Sequence, residues 1–393
     1  MTAKLCFFGV GCGDMTLITT STGKTILVDC HIRTGADDPD NDECPDVGAQ
    51  LRDRLKKDDK GRYYVDAMVL SHPDKDHCGG LMKHFHLGAI ADCPENSQKI
   101  IIREMWSSPI VFRRAGKKHV LCEDAKAWAA EARRRVKYYR TNGWLPVNER
   151  ILIIGEDVDG KTDDLANILV RVDGNITSIN NMPEDLFDVR VIGPLPIGDD
   201  DEEEELSKND SSIILRFKIG ANYDSDACRF LTGGDAEVGI WERVWDRNKG
   251  NIDNLKYDVL LSPHHCSWHS LSWDSWSKKG EDAEVSDDAR SALSQARRGA
   301  KIIASSKPIT DDDKDPPCIR AKREYKAILK EAGGTTDFVC VGDSDCDPIE
   351  YKISSGGVSR STGRAVATGA AAAAAGTAIG TSAFAHGDTR GHG

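Results

Sequence analysis

The segment Val69–Gly80, VLSHPDKDHCGG, limits what this chain can fold into more than any other stretch. Apolar residues at 67–70 predict a buried strand, and the polar cluster that follows predicts a loop at its end. That cluster holds His72, Asp74, Asp76 and His77. Imidazole and carboxylate groups suit zinc, manganese or iron. The segment therefore predicts a metal site, and the alternative interpretation is a solvated polar loop.

Three further predicted strands also end in residues that bind metals. Asp29 follows the apolar run TILV, Asp235 follows RFLTGG, and His264 and His265 follow DVLLSP. Active sites are commonly built on the loops at one edge of a sheet. We therefore expect these loops to meet at such an edge.

Residues 72–80, HPDKDHCGG, resemble the HxDxDHxGG form of the metallo-β-lactamase signature, in which aspartate replaces the second histidine of HxHxDH. This form is typical of the soluble hydrolase domain of ComEC-type DNA-uptake proteins and their stand-alone relatives. Other parts of the pattern occur in order between about residues 4 and 306. They are Gly11–Asp14, Gly23–Asp29, Asn209–Arg216, Leu231–Glu237 and Pro263–Ser267.

The resemblance implies a site for two divalent ions, with Zn²⁺ expected and Mn²⁺ as the alternative. By this resemblance, His72 and Asp74 hold one ion. Asp76 and His77 hold the other, and Asp235 bridges the two. Asp76 is also expected to accept a hydrogen bond from the attacking water and aim it.

The remaining positions of the site are also implied by the resemblance. His264 completes the shell of the second ion, with His265 as the alternate ligand or a general acid. Asp29 orients the metal loop by hydrogen bonding without binding metal. Many family members carry a histidine just before the strand that corresponds to Ser212–Phe217, and this chain has none there. The ComEC-like subgroup tends to have Asn or Asp instead, so Asp210 is the candidate ligand.

The implied fold is an α/β (α+β) chain of the metallo-β-lactamase type, an αββα sandwich with helical insertions. The implied activity is hydrolysis by a metal-bound hydroxide, because coordination lowers the pKa of water toward about 7. By analogy with ComEC-like domains we expect a phosphodiester substrate, in a nucleic acid or a nucleotide. The alternatives are another ester, a thioester or a lactone. A further alternative is a non-catalytic or regulatory protein in a bacterial multi-protein system such as a defence operon.

Composition divides the chain into a predicted hydrolase domain at residues 1–353 and a Gly/Ala/Thr-rich flexible tail at 354–393. Residues 91–150 read as a helical, basic insertion, and residues 199–205 are seven consecutive acids that predict a solvated loop. No apolar run approaches the roughly 20 residues needed to cross a bilayer, and the N-terminus lacks a signal-peptide pattern. We therefore expect a cytoplasmic protein with no membrane partner; a protein partner is unknown.

Two features are candidate substrate contacts. The predicted helix at about 123–140 carries a basic face that includes Arg133 and Arg134, which could grip phosphates or simply be solvated. Trp268 follows the His264 loop closely and could line a pocket, the alternative being a structural role. The acidic run at 199–205 counts against long DNA as the substrate.

Overall fold

Two β-sheets form the centre of the fold. A computed structural model of the protein describes residues 2–38, 45–118, 120–196, 209–334, 337–344 and 347–361. The strands in chain order are β1 (Ala3–Phe7), β2 (Thr16–Thr19), β3 (Thr25–Val28), β4 (Lys56–Lys57), β5 (Tyr63–Val65), β6 (Ala67–Val69), β7 (Phe85–His86), β8 (Ile100–Ile102), β9 (Glu104–Ser107), β10 (Arg150–Ile154), β11 (Leu169–Val170), β12 (Asn175–Ile176), β13 (Ser178–Ile179), β14 (Met182–Pro183), β15 (Phe187–Val191), β16 (Leu215–Ala221), β17 (Asp224–Thr232), β18 (Tyr257–Leu261), β19 (Ala296–Ala304), β20 (Phe338–Cys340), β21 (Ile349–Ser354) and β22 (Gly357–Arg360).

Helices cover the outer faces of the two sheets. They are α1 (Val47–Arg52), α2 (Lys75–Cys78), α3 (Leu81–His84), α4 (Pro109–Lys118), α5 (Glu123–Asn142), α6 (Val238–Asn248), α7 (Pro263–Cys266), α8 (Trp276–Lys279), α9 (Asp287–Leu293) and α10 (Ile319–Glu331). Short 3₁₀ helices lie at Ile90–Asp92, Val158–Gly160, Asp163–Leu165, Asn209–Ser211, Ile252–Asn254, Trp268–Ser270, Gly280–Asp282 and Val341–Asp343.

The nine-stranded sheet has the order β11-β10-β9-β6-β3-β2-β1-β21-β22, and the seven-stranded sheet has the order β12-β15-β16-β17-β18-β19-β20. Strands β3, β6, β9 and β10 are parallel neighbours in the first sheet, and β17 to β20 are parallel neighbours in the second. Two smaller sheets, β13-β14 and β4-β5-β8-β7, complete the architecture. Because neighbouring parallel strands end at the same edge, the loops after them are brought together.

Alternation along the strands separates two outer apolar layers from the core between the sheets. Ile26 and Val28 belong to the central core, whereas Leu27 belongs to the layer beneath α5. The central core joins both sheets, as the edge-to-face contact between Phe7 and Phe230 shows (ring centroids 5.8 Å apart). The second outer layer packs α6, α9 and α10 against the seven-stranded sheet. The predicted αββα order is therefore confirmed.

The segment predicted as a basic insertion is partly a component of the main sheet. Within residues 91–150, β9 lies between β6 and β10 in the nine-stranded sheet. Its run Glu104–Ser107 is buried on both faces, as expected for a central parallel strand. Between β9 and β10, α4 and α5 leave the sheet as a helical excursion, and β8 belongs to the small sheet β4-β5-β8-β7.

Helix α5 is amphipathic and covers the nine-stranded sheet. Its 20 residues begin after Cys122, whose Sγ accepts the Ala125 N–H, and end at Gly143 in a left-handed conformation. Trp128 and Tyr139 are buried against the sheet, whereas Arg133 is exposed. No helix in the described residues has the length and apolar character needed to span a bilayer.

The ordered sheet extends beyond the predicted start of the tail at residue 354. Strand β22 pairs with β21 in an antiparallel ladder from Tyr351–Arg360 to Ser354–Gly357. Backbone hydrogen bonding, which does not require large apolar side chains, accounts for this extension. Residues 362–393 and the acidic run 199–205 lie outside the described residues.

Candidate metal centre

The loops after several strands meet at one edge of the sandwich. Asp29 follows β3, the segment from His72 to His77 follows β6, and Asp235 follows β17. His265 follows β18, and Asp14 lies in the connection between β1 and β2. The parallel ladders β3-β6 and β17-β18 place these strand ends side by side within each sheet.

Four buried side chains form a compact cluster at this edge. Asp14, His77, Asp235 and His265 each offer a ligand atom, and these atoms all lie within 4.8 Å of one another. His77 Nε2 is 2.9 Å from Asp235 Oδ1, and His265 Nε2 is 3.5 Å from the same oxygen. His265 Nδ1 is 3.4 Å from Asp14 Oδ1. The donor set of two imidazoles and two carboxylates is one that zinc and manganese accept.

Asp29 lies behind His77 and determines how its ring is held. The Ser71 backbone N–H donates to Asp29 Oδ1 (2.6 Å), and His77 Nδ1 donates to Asp29 Oδ2 (2.9 Å). His77 Nε2 is thereby directed into the cluster. Burial alone would lower the pKa of His77, but the Asp235 and Asp29 carboxylates outweigh it, and the pKa lies well above its usual value.

His72 is buried beside the cluster as a neutral imidazole. Its ring centroid is 5.3 Å from that of His77, and its Nδ1 is 4.0 Å from Asp74 Oδ2. Burial lowers the pKa of His72 to about 4. Neither ring nitrogen has a hydrogen-bond partner among the described residues. A buried imidazole with both nitrogens unsatisfied is costly unless a ligand completes it.

His264 and His265 differ in their relation to the cluster. They lie in α7, where His264, His265 and Cys266 have positive φ values of 48°, 53° and 70°. Such strained backbone is characteristic of functional sites. The turn buries His265 at 1% exposure within the cluster, while His264 Nε2 lies 3.8 Å from Asp235 Oδ2. His264 is thus near the cluster but outside its compact set.

Asp76 lies at the mouth of the centre. Its side chain is 38% exposed, whereas that of Asp235 is 4% exposed, and its Oδ2 is 3.6 Å from His265 Nε2. Burial raises the pKa of Asp76, but the nearby His265 and His77 imidazoles outweigh it, so the pKa lies below its usual value. Asp76 is therefore an ionised acceptor that solvent can reach.

The residues of the centre fit a divalent cation. In the described parts of the chain, Asp14, Asp29 and Asp235 form ion pairs only with histidines. Asp14 Oδ1 and both ring nitrogens of His265 are buried without hydrogen-bond partners there. Buried charges require compensation. A cation among these groups would supply it and use the unsatisfied ligand atoms.

Asp14 and His31 also belong to the site, although the sequence motifs assign neither of them a role. The sequence signal for Asp14 is an acid that directly follows the glycine of the Gly11–Asp14 motif. His31 lies against the same turn, since a Cβ on Gly13 would be 2.1 Å from His31 Nδ1. Burial lowers the pKa of His31 to about 4, so this imidazole is also neutral at pH 7.

Arg134 and Trp268, the two other candidate substrate contacts besides Arg133, both make contacts within the protein. The guanidinium of Arg134 is held by Glu131 (2.8 Å) and Glu149 (2.9 Å). Trp268 is buried in the apolar layer outside the seven-stranded sheet. Arg133 lines a cavity of about 710 Å³ between α4 and α5. Asp210 lies in the 3₁₀ helix Asn209–Ser211, and its side chain is outside the described part of the structure.

Comparison with known proteins yields structural similarity without sequence relatives. No family model and no curated protein matches the chain. The structure is similar to Zn²⁺-bound PqqB from Methylobacterium extorquens, with 10% identity and a TM-score of 0.42, over 86% of this chain and 97% of that one. It is also similar to a possible metal-dependent hydrolase from Veillonella parvula, with 10% identity and a TM-score of 0.38, over 89% and 99% of the respective chains.

Proposed function

We propose that this protein is a metal-dependent hydrolase that uses two divalent ions, zinc or manganese, to cleave a phosphodiester. The observation that carries the proposal is the buried cluster of Asp14, His77, Asp235 and His265. His72 and Asp74 would hold the first ion, and the cluster residues with Asp76 would hold the second. Asp235 is the proposed bridge, and its carboxylate lies 2.9 Å from His77 Nε2.

When bound, two divalent ions lower the pKa of coordinated water toward about 7 and stabilise the attacking and leaving oxygens of a phosphoryl displacement. The chain supplies orientation. The exposed Asp76 carboxylate is positioned to accept a hydrogen bond from an attacking water. Asp29 and Ser71 fix the tautomer and direction of His77, a role that supporting hydrogen bonds commonly have at metal sites.

The first experiment is metal analysis by mass spectrometry of the protein purified without chelator, beside His77→Ala. We expect about two zinc or manganese ions per chain, with at least one lost in the variant because His77 contributes to the buried cluster. The His77→Ala variant should also hydrolyse bis(p-nitrophenyl) phosphate about 10²-fold or more slowly than the wild type.

His86→Ala is the matched control, because His86 bonds the Ala89 carbonyl through Nε2 and lies outside the centre. It should retain both metal and activity. Metal content that stays near zero after zinc or manganese is added would overturn the proposal. Hydrolysis of thioesters or lactones, with the phosphodiester inert, would retain the metal centre and reject the substrate class.

A further inference from the structure

Two cationic side chains from distant parts of the sequence meet at Gly11. Arg33 follows β3 by five residues, and Lys307 follows β19 by three. A Cβ placed on Gly11 would lie 3.8 Å from Arg33 Nη1 and 4.0 Å from Lys307 Cε. Both cations therefore lie against the same turn.

That turn borders the mouth of the metal centre. It leads directly to Asp14, whose backbone N–H donates to the Asp76 carbonyl (3.0 Å). Ser305, two residues before Lys307, donates its hydroxyl to the Gly13 carbonyl. His31, two residues before Arg33, packs against Gly13. Arg33 and Lys307 are thus placed on the segments that surround the exposed Asp76.

The two cations have no acidic partner in the described parts of the chain, and Arg33 Nε is buried without a hydrogen bond there. Arg33 is half-buried and Lys307 is exposed. By contrast, the half-buried Arg54 is paired with Glu350 (2.7 Å). A guanidinium left unpaired beside a site costs stability unless a ligand satisfies it.

We propose that Arg33 and Lys307 form a subsite that binds an oxyanion group of the substrate next to the scissile bond. Guanidinium groups bind phosphate and carboxylate through paired, charge-assisted hydrogen bonds, and a lysine adds a point charge. The proposal rests on the proposed hydrolase function and narrows its substrates to phosphodiesters that carry a second anionic group next to the scissile phosphate.

Calorimetry measures the binding of inorganic phosphate to the full-length protein as purified. The Arg33→Gln, Lys307→Gln double variant should bind phosphate about tenfold or more weakly, as expected when charge-assisted hydrogen bonds are lost. The control is Arg298→Gln, Lys352→Gln, which changes the net charge equally. Arg298 and Lys352 are exposed and lie toward the ends of their strands that are far from the metal centre. The control variant should therefore bind phosphate like the wild type.

The charge-preserving Arg33→Lys, Lys307→Arg variant should recover most of the affinity, and it shows whether the loss arises from charge or from misfolding. For hydrolysis of a phosphodiester that carries a second phosphate next to the scissile one, we expect KM to rise about tenfold in the Gln variant with a smaller change in kcat. Hydrolysis of bis(p-nitrophenyl) phosphate, which has no such group, should keep its wild-type KM. Wild-type phosphate affinity in the Gln variant would overturn the subsite. The metal content of the same samples tests the proposed hydrolase function separately. Phosphate binding that depends on Arg33 and Lys307 would support the subsite even if the protein showed no hydrolysis.

Discussion

At the scale of single residues, Asp29 shows how one buried carboxylate can organise a site without entering it. It adopts a positive φ of 59°, and its two oxygens accept from the Ser71 backbone and the His77 ring. The first contact fixes the loop that carries His72 and His77 to the end of β3. The second contact fixes the orientation of the His77 ring. Its influence on a metal ion would therefore act through His77.

We expect Asp29→Asn to weaken metal affinity about 10- to 100-fold, because the amide cannot orient and polarise the His77 ring as the carboxylate does. Competition with a chromophoric chelator measures the affinity. Asp66→Asn is the control, since Asp66 is equally buried and accepts the Thr25 N–H at the opposite end of β3. Equal metal affinities for the wild type and Asp29→Asn would show that His77 needs no such support.

At the scale of elements, α5 contains arginines with opposite structural roles. Arg135 is buried, and its guanidinium bonds Glu131 (2.7 Å) and the Ile102 and Arg150 carbonyls. Arg133, two positions earlier, is exposed. The basic face predicted from sequence is therefore divided between attachment of the helix to the sheet and a solvent-facing surface.

Arg135→Ala should lower the free energy of unfolding by about 3–5 kcal/mol, because it leaves the buried Glu131 carboxylate and strand carbonyls without this donor. Arg133→Ala on the same helix should leave it unchanged. Urea denaturation of both variants measures their free energies of unfolding. Similar stabilities for the two variants would mean that the bonds from Arg135 to the Ile102 and Arg150 carbonyls do not hold α5 to the sheet.

At the scale of the whole molecule, the nine-stranded sheet ends with β22 rather than at residue 353. Val358 pairs with Ile353, and the Ser361 N–H donates to the Glu350 carbonyl. Loss of this strand would expose the edge of β21, which in turn pairs with β1.

A chain truncated after Ser361 should unfold at the same temperature as the full chain, because the sequence beyond it is too poor in large apolar residues to add a core. Truncation after Ile353 should lower stability by about 1 kcal/mol or more through lost cross-strand pairs. Calorimetry of the two truncated proteins compares them. Equal transition temperatures for the two would show that β22 contributes nothing to the sheet.

The sequence by itself determined the local features of this protein. An apolar run followed by His72, Asp74, Asp76 and His77 specifies a buried strand with a polar loop at its end, because strand burial and loop polarity depend on neighbouring residues. The two-sheet sandwich was implied by the resemblance of residues 72–80 to the metallo-β-lactamase signature. These inferences required no knowledge of which distant segments would meet.

The tertiary structure decided what depends on long-range contacts and backbone conformation. Asp14 reaches the cluster because β1 and β2 form the same sheet as β6, and the left-handed turn at His264–Cys266 buries His265 there. Glu149 lies beyond the end of α5 and pairs with Arg134 within it, a contact that helical periodicity does not predict. Arg33 and Lys307, 274 positions apart by number, meet at Gly11 for the same reason. Spatial neighbours separated along the chain are set by sheet order and packing, which local sequence patterns do not contain.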